Sequence, residues 1–400
     1  MPLRHRTSLC SLLVAFLLVW SLSLSACSSE ETESQDTGEQ TEEDTDRTDT
    51  SDTSDTSDTS DTSDTSDTQD TGDAGCEGDE CDGDVGECID DDDCTDGVCV
   101  NGICEPAGFF VYTASADNTV RKLNPEGEQV WKSDVFGFVS ARDVAVDADG
   151  YVYSASWDHQ VRKHEPQQGE VLWSFDEHQS PIRSLAVDGQ GYVYFVTGQH
   201  DVHKIDPQGT EILWTFDEHS DSVLSVAVDS QGYVYSAGSD ESVRKINSEG
   251  QHVWFFNEHN SVINDITVDA QGYVYSISDD RTIRKLSPDT GSQVWSVDID
   301  GQEGSVAVES DGFLYSGADD QTLQKFDSDG QLLWTEPLDA SISALTVDPD
   351  GYVYAGLTDD SVRKFDSDGT EHWRFEGHLN YIHGIAVDPG ELSAFPDAWQ

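Results

Sequence analysis

The chain has 400 residues, with 81 acidic against 20 basic side chains and a formal net charge of −61. That imbalance excludes a basic footprint for nucleic acid and direct adhesion to anionic lipid. It fits a surface kept soluble by hydrated carboxylates in high salt, or one that meets cationic partners.

The first segment carries Arg4, His5 and Arg6, an apolar run from Leu12 to Trp20, and then Leu24-Ser25-Ala26-Cys27. A basic start, a short apolar stretch and small residues before a cleavage point read as a secretory signal peptide over 1–26. The run is too short for a membrane-spanning helix, which needs roughly 20 apolar residues. Leu-Ser-Ala-Cys resembles the bacterial lipobox. That resemblance implies lipidation of Cys27, with Ser28 directing the anchored chain to the outer membrane or cell surface. The membrane is then met only through the lipid.

Residues 27–75 form a tether that includes repeated Ser-Asp-Thr triplets from Ser51 to Thr68. With no apolar groups and uniform negative charge, it is expected to be disordered and extended. A module over 76–107 follows, with Cys76, Cys81, Cys88, Cys94, Cys99 and Cys104 among Gly and Asp residues. After a secretion signal these cysteines read as a disulfide framework, with the pairing open. Zinc is the rival reading, but two Cys-x-x-Cys pairs are missing.

From 108 to 390 one pattern recurs. Its marker tyrosine falls at Tyr112, Tyr153, Tyr194, Tyr235, Tyr275, Tyr315 and Tyr354, at intervals of 41, 41, 41, 40, 40 and 39 residues. A fixed period near forty built of short strand-like pieces predicts a β-propeller. Blade four reads as strands Val223–Val228, Tyr233–Ala237, Val243–Ile246 and His252–Phe255, separated by Gly-, Asp- and Ser-rich turns. The expected fold is all-β: a seven-bladed propeller with four antiparallel strands per blade. The last strand, Ile382–Val387, is of the first-strand type and is expected to complete the blade of Tyr112, leaving a short tail over 391–400.

Each repeat places a tryptophan on its fourth strand: Trp131, Trp173, Trp214, Trp254, Trp295, Trp334 and Trp373, usually four residues after a glycine. This resembles the tryptophan-docking repeat of PQQ-like propellers, which implies that each indole packs between neighbouring blades. One departure is consistent: the alanine of that repeat is replaced by Lys122, Lys163, Lys204, Lys245, Lys285, Lys325 and Lys364. Ala-Val-Asp-x-x-Gly-Tyr-Val-Tyr resembles NHL repeats. Histidine before the first strand with aspartate before the third resembles WD repeats, implying the pairs His219–Asp240, His259–Asp280 and His378–Asp117. His178 faces Gln199 instead. In plan the chain resembles the PQQ-like propeller lipoproteins of outer-membrane β-barrel assembly.

The repeated lysines are matched by Asp147, Asp188, Asp229, Asp269, Glu309, Asp348 and Asp388 at the ends of the first strands, which predicts one ion pair per blade. Snorkelling to solvent and an anion-binding ring around a channel are the alternatives. Asp-x-Asp-Gly turns, as at Asp147–Gly150 and Asp366–Gly369, are read as hairpin turns, with calcium as the less favoured reading. No cofactor is expected.

No Gly-x-Ser-x-Gly, His-Glu-x-x-His or phosphate-cradling loop occurs. Quinoprotein dehydrogenases need a vicinal disulfide, and residues 108–390 contain no cysteine. The expected function is therefore a lipid-anchored, monomeric, non-enzymatic envelope propeller that binds a protein or glycan or acts as a scaffold. The alternative is an enzyme of lyase, lactonase or quinoprotein type with its site in the channel. Trp157, His159, His164, Phe195, His200 and His203 break the consensus in blades two and three and are the candidate ligand face.

Overall fold

The computed structural model describes residues 97–100, 103–106, 108–134, 137 and 139–388. The signal peptide, Cys27, the tether, Cys76, Cys81, Cys88, Cys94 and the tail lie outside the described residues. Gly97–Val100 and Ile103–Pro106 pair as a hairpin that sets the backbones of Cys99 and Cys104 opposite each other.

Val111 to Asp388 form seven four-stranded antiparallel sheets, and no helix occurs among the described residues. In blade four the strands are Val223–Val228, Val234–Gly238, Val243–Ile246 and His252–Phe256, in that order from the inside out. Blade one is built from the two ends of the repeat region: Ile382–Val387 pairs with Val111–Ser115, followed by Thr119–Leu123 and Gln129–Ser133. The innermost strand Ile382–Val387 packs against its counterparts Ile342–Val347 and Ala141–Val146, so the ring is closed.

Burial follows strand position. The second strand is buried along its whole length, as in Val234–Gly238, because a neighbouring blade covers each of its faces. The fourth strand alternates, as in Val171–Phe175, because it is the outer edge of the ring. The apolar core is accordingly split into clusters between blades. One joins Tyr315 and Leu323 of blade six to Ile342, Leu345 and Phe365 of blade seven. Another joins Val111, Leu123, Ile382 and Ile385 to Tyr354 and Val362 across the closure.

A candidate binding rim at the mouth of the channel

Register places one residue of each marker type side by side across every blade. In blade four Ala227, Tyr235, Lys245 and Trp254 are successive cross-strand partners. The same row recurs as Tyr112–Lys122–Trp131, Tyr153–Lys163–Trp173, Tyr194–Lys204–Trp214, Tyr275–Lys285–Trp295, Tyr315–Lys325–Trp334 and Tyr354–Lys364–Trp373.

Each indole lies on a glycine of the next blade. Trp254 packs on Gly291, whose φ of +67° is left-handed and whose missing Cβ would sit 2.5 Å from the ring. Trp373 packs in the same way on Gly127 across the closure. The indole N–H donates to a carbonyl of that next blade: Trp254 to Pro288 at 3.0 Å, Trp131 to Pro166 at 2.9 Å and Trp373 to Pro125 at 2.8 Å.

The lysines join the same interface. Lys245 Nζ lies 4.0 Å from the ring centre of Tyr233 and 5.1 Å from that of Tyr235, and donates to the Pro288 carbonyl at 3.0 Å. Lysine and tryptophan thus converge on one acceptor. Lysine–acid ion pairs close in blade two (Lys163–Asp147, 3.3 Å), blade five (Lys285–Asp269, 3.9 Å) and blade six (Lys325–Glu309, 3.1 Å). The acids also take the marker tyrosine hydroxyls, as Asp229 does from Tyr235 at 2.9 Å. The lysine head therefore sits among aromatic rings, with the acid as one partner of several. Burial lowers the basicity of Lys204, Lys245, Lys285 and Lys364, and the facing acids partly restore it. These side chains lie two strands away from the channel and do not form an anion ring around it.

The histidine–aspartate pairs pin the loops before the first strands. His219 contacts Asp240 at 2.9 Å and Ser236 Oγ at 2.8 Å. His259 repeats this with Asp280 and Ser276, both at 2.9 Å. His378 contacts Asp117 at 3.1 Å and Thr113 at 2.9 Å across the closure. Although burial works against ionisation, hydrogen bonds from His378 and Thr119 hold the Asp117 carboxyl well below the usual range. The first aspartates of the Asp-x-Asp-Gly turns accept backbone N–H groups, as Asp147 does from Asp149 and Tyr151.

The innermost strands enclose a channel of about 850 Å³ lined by Val, Ala, Leu and Ile alternating with polar and charged residues. A belt of side chains links inner strands to their neighbours by accepting backbone N–H groups, in blades three and five just after a β-bulge. Asp143 Oδ2 accepts from Leu185 N at 2.9 Å, Ser225 Oγ from Ile266 N at 3.2 Å, and Asp265 Oδ2 from Val306 N at 3.1 Å. Burial pushes the Asp143 carboxyl up to about 6, and raises that of Asp265 too.

The two mouths differ. One carries the strand-end acids Asp147, Asp188, Asp229 and Asp269; the other carries Arg142, Arg183 and His383 together with Asp279 and Glu303. There Arg142 Nη1 donates to His383 Nε2 at 2.7 Å, and His383 packs edge-on to Tyr381 with ring centres 4.6 Å apart. The indole of Trp157 lies under both guanidiniums, 4.9 Å from Arg142 and 5.7 Å from Arg183. Trp157 and Tyr381 are 42% and 40% exposed, which makes them available to a partner. Burial and Arg183 lower the Arg142 guanidinium to about 10, while burial and Arg142 drop His383 to about 3, so His383 stays neutral as an acceptor. The arrangement presents two adjacent cations and two aromatic faces on an otherwise acidic protein.

The residues singled out in blades two and three do not form one face. Trp157 belongs to this mouth. His164 is buried between blades, bonded to Ser154 at 2.8 Å and stacked on Trp131, because it occupies a core position filled elsewhere by Leu123 or Leu286. His159 and His200 sit at corresponding positions of the turns between the second and third strands of blades two and three. Phe195 and His203 are buried together in blade three, ring centres 4.8 Å apart. Arg142, Arg183 and His383 were missed by sequence reasoning. They share one position of the first strand, held by Leu224, Asn264 and Ser343 in other blades, and repeat alignment could have shown them.

The ring, the docking indoles and the terminal closure define a seven-bladed propeller of the PQQ-like repeat class. Residues 116–180, 157–274 and 279–391 match the sequence profile described as outer membrane protein assembly factor BamB. The matches span well over half the chain, and it belongs to that family. No protein of known annotation matches the chain as a relative.

Proposed function

We propose that this chain is a non-catalytic, lipid-anchored propeller of the bacterial envelope that docks a protein partner through the mouth formed by Tyr381, His383, Arg142, Trp157 and Arg183. The observation that carries the reading is the continuous aromatic–cation run there, with Trp157 and Tyr381 exposed. Tryptophan, tyrosine and arginine are the residues that dominate protein interfaces. The partner segment would present a carboxylate to the arginines beside an apolar side chain for the indole. The lipobox-like stretch ending at Cys27 supports envelope anchoring, and family membership supports a protein partner. The channel carboxylates support a non-catalytic role: Asp143 and Asp265 spend their oxygens on backbone N–H groups and serine hydroxyls.

The test is affinity capture from native envelopes with the full chain, beside Trp157→Ala and Arg183→Ala variants. A stoichiometric partner is expected with the parent and at least tenfold less with either variant. Equal recovery by all three chains would overturn the assignment of the mouth. Small-molecule turnover by the purified chain would overturn the non-catalytic reading.

A further inference from the structure

Blade three departs from its neighbours at three positions that meet in space. Where other blades have Ser154, Ser236, Ser276 or Thr113 on the second strand, it has Phe195. Where they have Arg121, Arg162, Arg244, Arg284 or Arg363 on the third strand, it has His203. The turn aspartate, at Asp158 or Asp240 in adjoining blades, is replaced by Gln199, and an aspartate appears two residues later as Asp201. In other blades the arginine reaches the turn carboxylate, as Arg121 does to Asp117 at 2.9 Å, and the loop histidine bonds the serine. In blade three Phe195 offers the loop histidine, His178, no hydroxyl, and the shorter imidazole of His203 replaces the guanidinium.

We propose that His178, Asp201 and His203 form a site for a divalent transition-metal ion. One ligand atom from each lies within 4.8 Å of the other two. His203 is 4% exposed, and its Nε2 is buried with no hydrogen-bond partner, 3.7 Å from Asp201 Oδ2. Its other nitrogen, Nδ1, lies 2.9 Å from Thr215 Oγ1. With Nδ1–H donating to that hydroxyl, the tautomer is fixed and the Nε2 lone pair faces Asp201, the outer contact that metal-binding histidines use. His178 Nδ1 lies 3.1 Å from both the carbonyl and the backbone N–H of Ser180, so Ser180 holds this ring in either tautomer, and the one that donates to the carbonyl leaves the Nε2 lone pair for a metal. The imidazoles stand with ring centres 4.8 Å apart, and Phe195 packs on both.

Two imidazoles and one carboxylate select zinc, cobalt or nickel over calcium or magnesium, which take oxygen donors. Tetrahedral ligands around zinc stand about 3.3 Å apart. The Asp201–His203 gap is close to that, and a small swing of His178 completes the set. A fourth position is left for water or a group brought by a partner. This proposal is independent of the docking role assigned to the channel mouth.

The experiment uses the full chain without a histidine tag, stripped with chelator and titrated with Co(II). One equivalent is expected to produce visible ligand-field absorption in the tetrahedral range, displaced by Zn(II). Asp201→Asn keeps the turn's shape and His203→Gln keeps a polar side chain. Each is expected to abolish the absorption or weaken the affinity at least tenfold, with circular dichroism unchanged. Zn(II) is expected to raise the Tm of the parent but of neither variant. Weak, featureless Co(II) binding identical in parent and both variants would assign the ion to the acidic surface and overturn the site. A parent chain with no ligand-field band at all would do the same.

Discussion

At the scale of single residues, the buried lysines and histidines between the blades serve mostly as neutral or paired parts. Lys245 is 6% exposed and is held by two tyrosine rings and a carbonyl of the next blade. A desolvated cation–π contact contributes up to about 2 kcal/mol, and a charged hydrogen bond a similar amount. Lys245→Met keeps the stem's packing and removes both, so a loss of roughly 1–3 kcal/mol in denaturant unfolding is expected. No loss would mean that the head group is incidental.

His164 gives a pH-dependent test. Burial drops its folded value to about 4 against an ordinary 6.5, so it is neutral in the fold and protonates first in the unfolded chain. The unfolded state binds the extra proton between those values, so this contribution is complete above 6.5 and is lost as pH falls toward 4. Asp143, raised to about 6, works in the opposite direction: its contribution is present at low pH and lost as pH rises through 6. His164→Leu, which gives blade two the leucine that blade one has at Leu123, removes only the first. The fall in stability of the parent from pH 6.5 to 4 is expected to shrink by roughly 3 kcal/mol in the variant. Parallel pH–stability curves for the two proteins would show that His164 is not the group titrating.

At the scale of the element, the interface between blades is a repeated joint in which an indole meets a glycine. Gly232 and Gly291 both have left-handed φ, +79° and +67°, so alanine strains the backbone at each. Only at Gly291 does the new methyl strike an indole; at Gly232 its nearest neighbour is Ser248 Cβ at 3.9 Å. Gly291→Ala is therefore expected to cost about 1–3 kcal/mol more than Gly232→Ala, read as the difference between their unfolding midpoints. Equal costs would mean that Trp254 yields freely. These joints were legible in the sequence because their markers recur with a local period, and the closing strand because its type was out of order. Strand ends shifted by a residue, as with Val234–Gly238 against Tyr233–Ala237, since hydrogen-bond register rather than side-chain type sets them. The channel mouth was not legible: Arg142 and His383 meet across 241 residues, and only ring closure brings them together. The lysines were found as a pattern, but their seat between aromatic rings depends on how one blade lies on the next.

At the scale of the whole molecule, closure and charge oppose each other. The ring shares its cores among all blades and seals its sheet edge with Ile382–Val387, which favours one cooperative unit. Residues 108–400 carry 51 of the 81 acids and 17 of the 20 bases, a net of −34 that repels itself most strongly in that compact state. Salt shortens the range of this repulsion from about 30 Å at 0.01 M to about 3 Å at 1 M. It also screens attractive pairs, but buried ones, such as Lys285 and Asp269 within blade five at 9% and 1% side-chain exposure, lose little. The repulsive part is surface charge and is screened almost fully. The Tm is therefore expected to rise by about 5 °C or more between about 0.01 M and 1 M NaCl. Scanning calorimetry in NaCl and in KCl should give the same rise, because screening does not depend on which monovalent cation supplies it. A Tm that falls with salt would show that exposed ion pairs outweigh the repulsion, and that the acidity stabilises the ring instead of opposing it.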